Sequence, residues 1–225
     1  MDRKIVLTTL AAAVFAFIGI WLLLSAFPSQ QSQLRLYPWD VERDAEGQTR
    51  VFDLTLGRST LADLRDLLGE EGKLSLFANP DGRYAVEAYF DDIILSNIRA
   101  DWVVGLAVPQ DQLQAMFDRG LRVSTLSSGA RKVKLDPADA ERLTAAPIET
   151  ISYLPWKSLE PQDIRGNFGD PVEQITEPGG VVHWLYPELG MDIARDPGGG
   201  VVIQFLSASD FERALEPLRK AQPGS

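Results

Sequence analysis

Apolar side chains follow two rhythms along this chain, and each rhythm occurs in both halves. Leu61, Leu64, Leu67 and Leu68 are spaced by three or four, which puts them on one stripe of a short helix. Ser59 or Thr60 can cap its start, and Thr60 with Asp63 three residues on approximates a capping box. Gly69 follows the last apolar residue, where a left-handed C-terminal cap favours glycine. One hundred positions later (163 − 63 = 100) the pattern returns. There Ser158 can cap, Pro161 sits in the first turn, Ile164 and Phe168 face inward, and Gly169 and Pro171 end the helix. Asp63-Leu64-Arg65-Asp66-Leu67-Leu68-Gly69-Glu70 and Asp163-Ile164-Arg165-Gly166-Asn167-Phe168-Gly169-Asp170 share Asp-Φ-Arg-x-x-Φ-Gly-acid, with Φ apolar. Self-similarity at a fixed offset implies one supersecondary unit used twice. Asp63, Arg65, Asp163 and Arg165 are then matched surface charges for a partner; the plainer alternative is solvated helix faces.

The second rhythm is alternation. Val51, Phe52 and Leu54 suggest a strand, and Ile151 to Leu154 repeats it at the same offset. Leu74 to Phe77 and Tyr84 to Phe90 read as strands around the turn Asn79-Pro80-Asp81-Gly82. Ile93 to Ile98 and Trp102 to Val108 are further apolar runs, and a helix over 110–119 closes the first half at Gly120. A hairpin over 121–135 and a short helix from Asp136-Pro137 bridge the halves. Arg131, Lys132 and Lys134 are its basic cluster, suited to blocking an edge strand or to meeting anionic lipid or an acidic partner. In the second half, strands at 172–176, 181–186, 189–194 and 201–206 are separated by turns at 178–180 and 197–200, and a final helix carries Phe211, Leu215 and Leu218. The expected fold class is α+β: an N-terminal transmembrane helix, then two similar modules of antiparallel sheet with helices packed on one face. The boundaries read 1–28 anchor, 29–49 tether, 50–120 module one, 121–149 bridge and 150–225 module two.

The anchor is the run Ile5 to Phe27, 23 residues without a charge. At about 1.5 Å per residue it matches a hydrocarbon core of about 30 Å. A cleaved signal peptide has a shorter apolar region and a small-x-small site, which Leu24-Ser25-Ala26 matches poorly. Arg3 and Lys4 precede the run and no cation follows until Arg35, so the N-terminus is expected in the cytoplasm and the body in the periplasm, on a single-pass inner-membrane protein. Tyr37 and Trp39 are expected at the membrane interface or packed on the body.

Composition narrows the chemistry. Net charge is −10; Asp2, Arg3 and Lys4 supply +1, leaving −11 on the rest, which argues against a nucleic-acid binder that needs a basic face. Without cysteine there is no disulfide, thiolate metal site, cysteine nucleophile or lipidated Cys. His183 is the lone histidine and stands in a strand pattern. A Ser-His-Asp triad would have to use it, and no Gly-x-Ser-x-Gly accompanies it. Asp91-Asp92 reads as turn chemistry and Gly198-Gly199-Gly200 as a hairpin turn. No catalytic, metal or cofactor site is expected, with a hydrolase using an unrecognised carboxylate pair as the alternative.

Module two carries Leu159, Asp163-Ile164, Phe168-Gly169-Asp170-Pro171, Trp184-Leu185-Tyr186 and Leu189-Gly190-Met191-Asp192-Ile193. This resembles the SmpA/OmlA pattern of BamE: a short helix ending at a Leu-Gly-x-Pro corner, a Trp-x-Tyr strand, then a Φ-x-Φ strand. The same small fold occurs in tandem in β-lactamase-inhibitor proteins. The resemblance covers about 60 residues of module two and, more faintly, module one. It implies a non-enzymatic envelope domain that binds other proteins, with Trp184 and Tyr186 joining the four charges as partner-binding residues. An adaptor or accessory subunit, meeting envelope or inner-membrane proteins and the bilayer through residues 5–27, is the expectation.

Overall fold

The computed structural model describes residues 36–221. The apolar run over 5–27 and tether residues 29–35 lie outside the described residues. Among the described residues no helix is long and apolar enough to cross a membrane.

The chain opens with three short strands, β1 (Glu42–Arg43), β2 (Thr49–Val51) and β3 (Leu54–Thr55), which form a small antiparallel sheet. Helix α1 (Leu61–Leu68) follows, then β4 (Lys73–Ala78), β5 (Tyr84–Leu95), β6 (Ile98–Leu106) and helix α2 (Gln110–Asp118). The hairpin β7 (Arg122–Thr125) and β8 (Arg131–Lys134) leads into α3 (Pro137–Arg142) and a 3₁₀ turn at Leu143–Ala145. Then come β9 (Ile148–Pro155), α4 (Pro161–Phe168), β10 (Glu173–Thr176), β11 (Val182–Tyr186), a 3₁₀ turn at Pro187–Leu189, β12 (Met191–Arg195), β13 (Val201–Leu206) and α5 (Ala208–Ala221).

The expected pair of modules, each with helices on one face, is corrected. Ten strands form one continuous antiparallel sheet in the order β10-β11-β12-β13-β9-β6-β5-β4-β8-β7. Strand β9 closes the gap between the halves. It pairs with β6 from Ala100↔Pro155 to Leu106↔Ile148 and with β13 from Ile203↔Tyr153 to Leu206↔Thr150. Neither half keeps a free edge at the junction, so two separate sheets do not form.

The helices are not confined to one face either. Successive strand residues point to opposite faces. Trp102, Tyr153, Ile203, Ile193 and Trp184 fall in one cross-strand row and are buried in the main core with Leu61, Leu64, Leu113 and Ile164 of α1, α2 and α4. Leu185, one residue on from Trp184, points the other way and packs with Ile175, Leu206, Phe211 and Leu215 under α5. The sheet therefore carries α1, α2 and α4 on one face and α5 at one end of the other.

The expected strand over Val51 to Leu54 is a tight turn. Phe52 and Asp53 both have positive φ, 54° and 62°, between β2 and β3. A bulky residue rarely adopts this backbone. Here the conformation turns the Phe52 ring into the core, 4.5 Å from Trp102, 5.4 Å from Tyr153 and 5.9 Å from Phe205 between ring centroids. A buried aromatic side chain contributes about 1.5–3 kcal/mol of transfer free energy, enough to offset the backbone strain of order 1–3 kcal/mol. So Val51–Leu54 and Ile151–Leu154, aligned by the offset of one hundred, sit in different sheets. The helix starts match, since Thr60 with Asp63 and Glu160 with Asp163 form capping boxes; both helices end at a glycine of positive φ, but Gly69 is left-handed helical (φ 69°, ψ 20°) whereas Gly169 combines φ 79° with an extended ψ of −171°.

Strands β1 and β2 are tied to the large sheet by Arg43 and Thr49 respectively. Arg43 Nε donates to the Glu188 carbonyl at 2.7 Å and Nη2 to that of Pro187 at 2.9 Å, while the Thr49 hydroxyl lies 2.7 Å from the Leu206 carbonyl oxygen. Gly190, at φ 61°, leaves room for this joint: a Cβ there would stand 2.5 Å from both the Leu206 oxygen and Thr49 Oγ1.

Candidate binding cleft

One end of the sheet collects aromatic and polar groups from distant parts of the sequence. The β5–β6 hairpin turns on Ser96 and Asn97, at φ 49° and 64°, the left-handed pair that two-residue hairpins require. The incoming chain is fastened to this turn, since the Leu36 N–H donates to Ser96 Oγ at 2.8 Å. Pairing of β6 with β9 brings Pro155 beside Ala100, and the Trp156 N–H then donates to the Arg99 carbonyl at 3.0 Å. Beside them, on the side of α4, lies a cleft of about 650 Å³. Buried Tyr153 and Ile203 form its base, Ile98 and Leu159 add apolar surface, and Trp39 and Trp156 contribute aromatic rings.

Trp39 reaches the cleft by packing on the body: Tyr37 stacks on it at 4.7 Å, and it meets Phe168 edge-on at 6.3 Å. Trp156 is 55% exposed yet held in place. The Arg99 guanidinium carbon lies 3.6 Å from its ring centre, and its Nε1–H donates to Asp101 Oδ1 at 3.1 Å. Asp101 is a hub. It also accepts the Asp92 N–H at 2.9 Å and the Tyr89 hydroxyl at 3.2 Å. The backbone bond from Asp92, aided by Trp156 and Tyr89, holds the Asp101 carboxyl below the usual carboxylate range. Asp92 itself stands at a bulge in β5 with φ 62° and pairs with Arg99. An aromatic held by a cation on its face and a carboxylate on its edge needs little ordering on binding. Three polar groups at the cleft lack protein partners among the described residues: the amides of Asn97 and Asn167 and the ammonium of Lys157. The Tyr153 hydroxyl is buried without a hydrogen-bond partner among the described residues, and burial pushes its pKa up.

The six partner-binding residues expected from the sequence are dispersed. Asp163 lines the cleft, while its carboxylate accepts the Glu160 N–H at 3.0 Å. Asp63 sits in the other capping box, where the Thr60 N–H donates to it at 2.7 Å and holds its carboxyl below the usual range. Arg65 donates to the Glu71 carbonyl and to Thr144 Oγ1. Arg165 lies over the Trp184 ring at 4.9 Å and pairs with Asp170 at 3.3 Å. Trp184 and Tyr186 are buried, 3% and 5% exposed, so their rings serve the core. The Tyr186 hydroxyl donates to the Gly169 carbonyl at 3.0 Å, and burial pushes its pKa up to about 12. Sequence reasoning missed Trp156, Arg99, Asp101 and Tyr89. Their one local signal is the Ser96-Asn97 turn, which marks a hairpin inside what reads as an apolar run.

His183 has Asp192 Oδ2 at 2.7 Å on Nδ1 and Glu177 Oε1 at 3.3 Å on Nε2. Carboxylates occupy both ring nitrogens, so the imidazole faces no hydroxyl that it could activate. Two other carboxyls are pushed up by burial, Glu87 and Glu149. Glu87 interacts with Lys132, whereas Glu149 interacts with Asp210 and Arg213. Among the described residues no cluster of three or more His, Asp or Glu is placed to hold a metal ion. No protein-family model, curated protein or solved structure matches the chain.

Proposed function

We propose that this chain is a non-catalytic adaptor of the cell envelope, held in the inner membrane by residues 5–27, which binds another protein through the cleft at Trp39 and Trp156 and the adjoining sheet surface. The likeness of residues 159–193 to the SmpA/OmlA pattern is part of this reading. The single observation that carries it is Trp156, an exposed indole fixed between Arg99 and Asp101 at the mouth of the cleft. The residues that dominate binding energy at protein interfaces are enriched in tryptophan and arginine. The anchor is supported by the uncharged run of 23 residues after Arg3 and Lys4.

The test is photo-crosslinking in intact cells, with a benzophenone side chain installed at position 156 or, as a control, at position 123. Val123 is also exposed but lies on β7, at the far edge of the sheet. A discrete adduct from position 156 and none from position 123 is expected. No adduct from position 156, or the same adducts from both positions, rules the reading out.

A further inference from the structure

The cleft is specific enough in its chemistry to name what enters it. We propose that it takes an extended polypeptide segment with an apolar side chain followed by an acidic one. This rests on the protein-binding reading and deepens it.

The base of the cleft is aliphatic and phenolic: Ile98, Leu159, Ile203 and the Tyr153 ring. Such a surface accepts a leucine-sized side chain. The Asn97 and Asn167 amides come from different elements, the β5–β6 turn and α4, and neither has a hydrogen-bond partner among the described residues. A carboxamide offers a donor and an acceptor together, and so matches the C=O and N–H of a main chain whose own groups are unpaired. The charges settle the remaining position. Arg99 is committed to Asp92, and Asp163 to the Glu160 N–H. Lys157 has no ion pair among the described residues, in a chain of net charge −10. A free ammonium beside an apolar base selects a carboxylate on the incoming segment. The cleft also sits where Leu36 is tied to Ser96.

The experiment pans a displayed library of random heptapeptides against the full chain in detergent micelles. The enriched peptide, fluorescently labelled, is then titrated with wild type, Asn167→Ala, Lys157→Glu and the distant control Lys132→Glu. Circular dichroism and the melting temperature of each variant establish folding. Peptides with an apolar residue followed by Asp or Glu are expected. Asn167→Ala should weaken binding about 5-fold and Lys157→Glu about 10-fold or more, with Lys132→Glu unchanged. Failure to enrich any such peptide overturns the proposal, as does equal binding by all four proteins. Cellotetraose displacing an enriched peptide or quenching Trp156 assigns the cleft to a sugar and also overturns it. A discrete crosslink at position 156 without peptide selection rejects the peptide cleft alone; peptide selection without that crosslink rejects the adaptor reading.

Discussion

His183 Nδ1 and Asp192 Oδ2 lie 2.7 Å apart, as diagonal neighbours on one face of the β11–β12 pair. Glu177 approaches the other ring nitrogen. Both residues are buried, at 8% and 3% exposure. The hydrogen bond from the imidazole to Asp192 raises the His183 pKa, and burial opposes it less strongly.

A pH dependence follows from that sign. A histidine raised in the folded state stabilises it fully below the unfolded pKa of about 6.5, and the contribution fades as pH rises through the folded pKa. Wild type should exceed His183→Gln in melting temperature by most near pH 6, with the gap narrowing by pH 9. A gap that stays constant or widens over that range would show that the pair does not titrate with folding.

Tyr153→Phe isolates a different effect. The ring is 1% exposed and packed on Phe52 and Trp102, and its hydroxyl has no hydrogen-bond partner among the described residues. Removing an unpaired buried hydroxyl should leave stability unchanged or raise it by up to about 1 kcal/mol in urea unfolding. Tyr186→Phe, which loses the bond to the Gly169 carbonyl, should instead cost about 1 kcal/mol. The reverse order would mean that Tyr153 has a partner in the folded protein.

The two best glycine probes differ in surroundings at nearly equal φ. Around Gly69, at φ 69°, a Cβ meets nothing within 4 Å, so Gly69→Ala carries only the backbone penalty of about 1 kcal/mol. At Gly190, with φ 61°, the same methyl strikes the Leu206 carbonyl and Thr49 at 2.5 Å. Gly190→Ala should lose about 3 kcal/mol or more, because the joint holding β2 to the end of β13 must open. Equal melting temperatures for the two variants would contradict this.

Asp139 offers a test of a charge under cover. It is 1% exposed and accepts from Arg119 at 2.8 and 3.1 Å and from Arg142 at 3.0 Å. Asp139→Asn leaves the packing but removes the charge. Loss of one member of a buried pair costs about 3–5 kcal/mol, and the half-exposed Arg119 moderates this to about 2 kcal/mol. A loss below about 0.5 kcal/mol in urea unfolding would assign Asp139 a merely solvated role.

Local order was legible wherever one face of an element is buried. The stripe Leu61, Leu64 and the alternation through Trp102 and Val104 carry their period in the sequence, and Gly69 and Gly169 mark where the helices stop. Periodicity does not say which strand pairs with which. The seven registered pairs of β6 with β9 join residues about fifty positions apart, so one sheet looked like two. Phe52 was hidden because a bulky side chain at positive φ is paid for by a distant aromatic cluster. Trp184 and Tyr186 were placed at a surface because alternation separates two faces without naming the wet one. Trp156, Arg99 and Asp101 become neighbours only through that same pairing.

The central position of β9 also bears on how the chain is made. Synthesis runs from the N-terminus, so β4, β5 and β6 emerge before residue 148 exists. During that interval the outer edge of β6 presents bare N–H and C=O groups, with Trp102 and Val104 beside them. A nascent chain stalled there resembles an open template for other strands, and two such chains on one messenger could zip together. Arrival of Ile148–Pro155 ends that exposure, and β13 then covers the other edge of β9. The strand that unites the mature sheet is thus also the guard whose late arrival times the riskiest moment of the protein's birth.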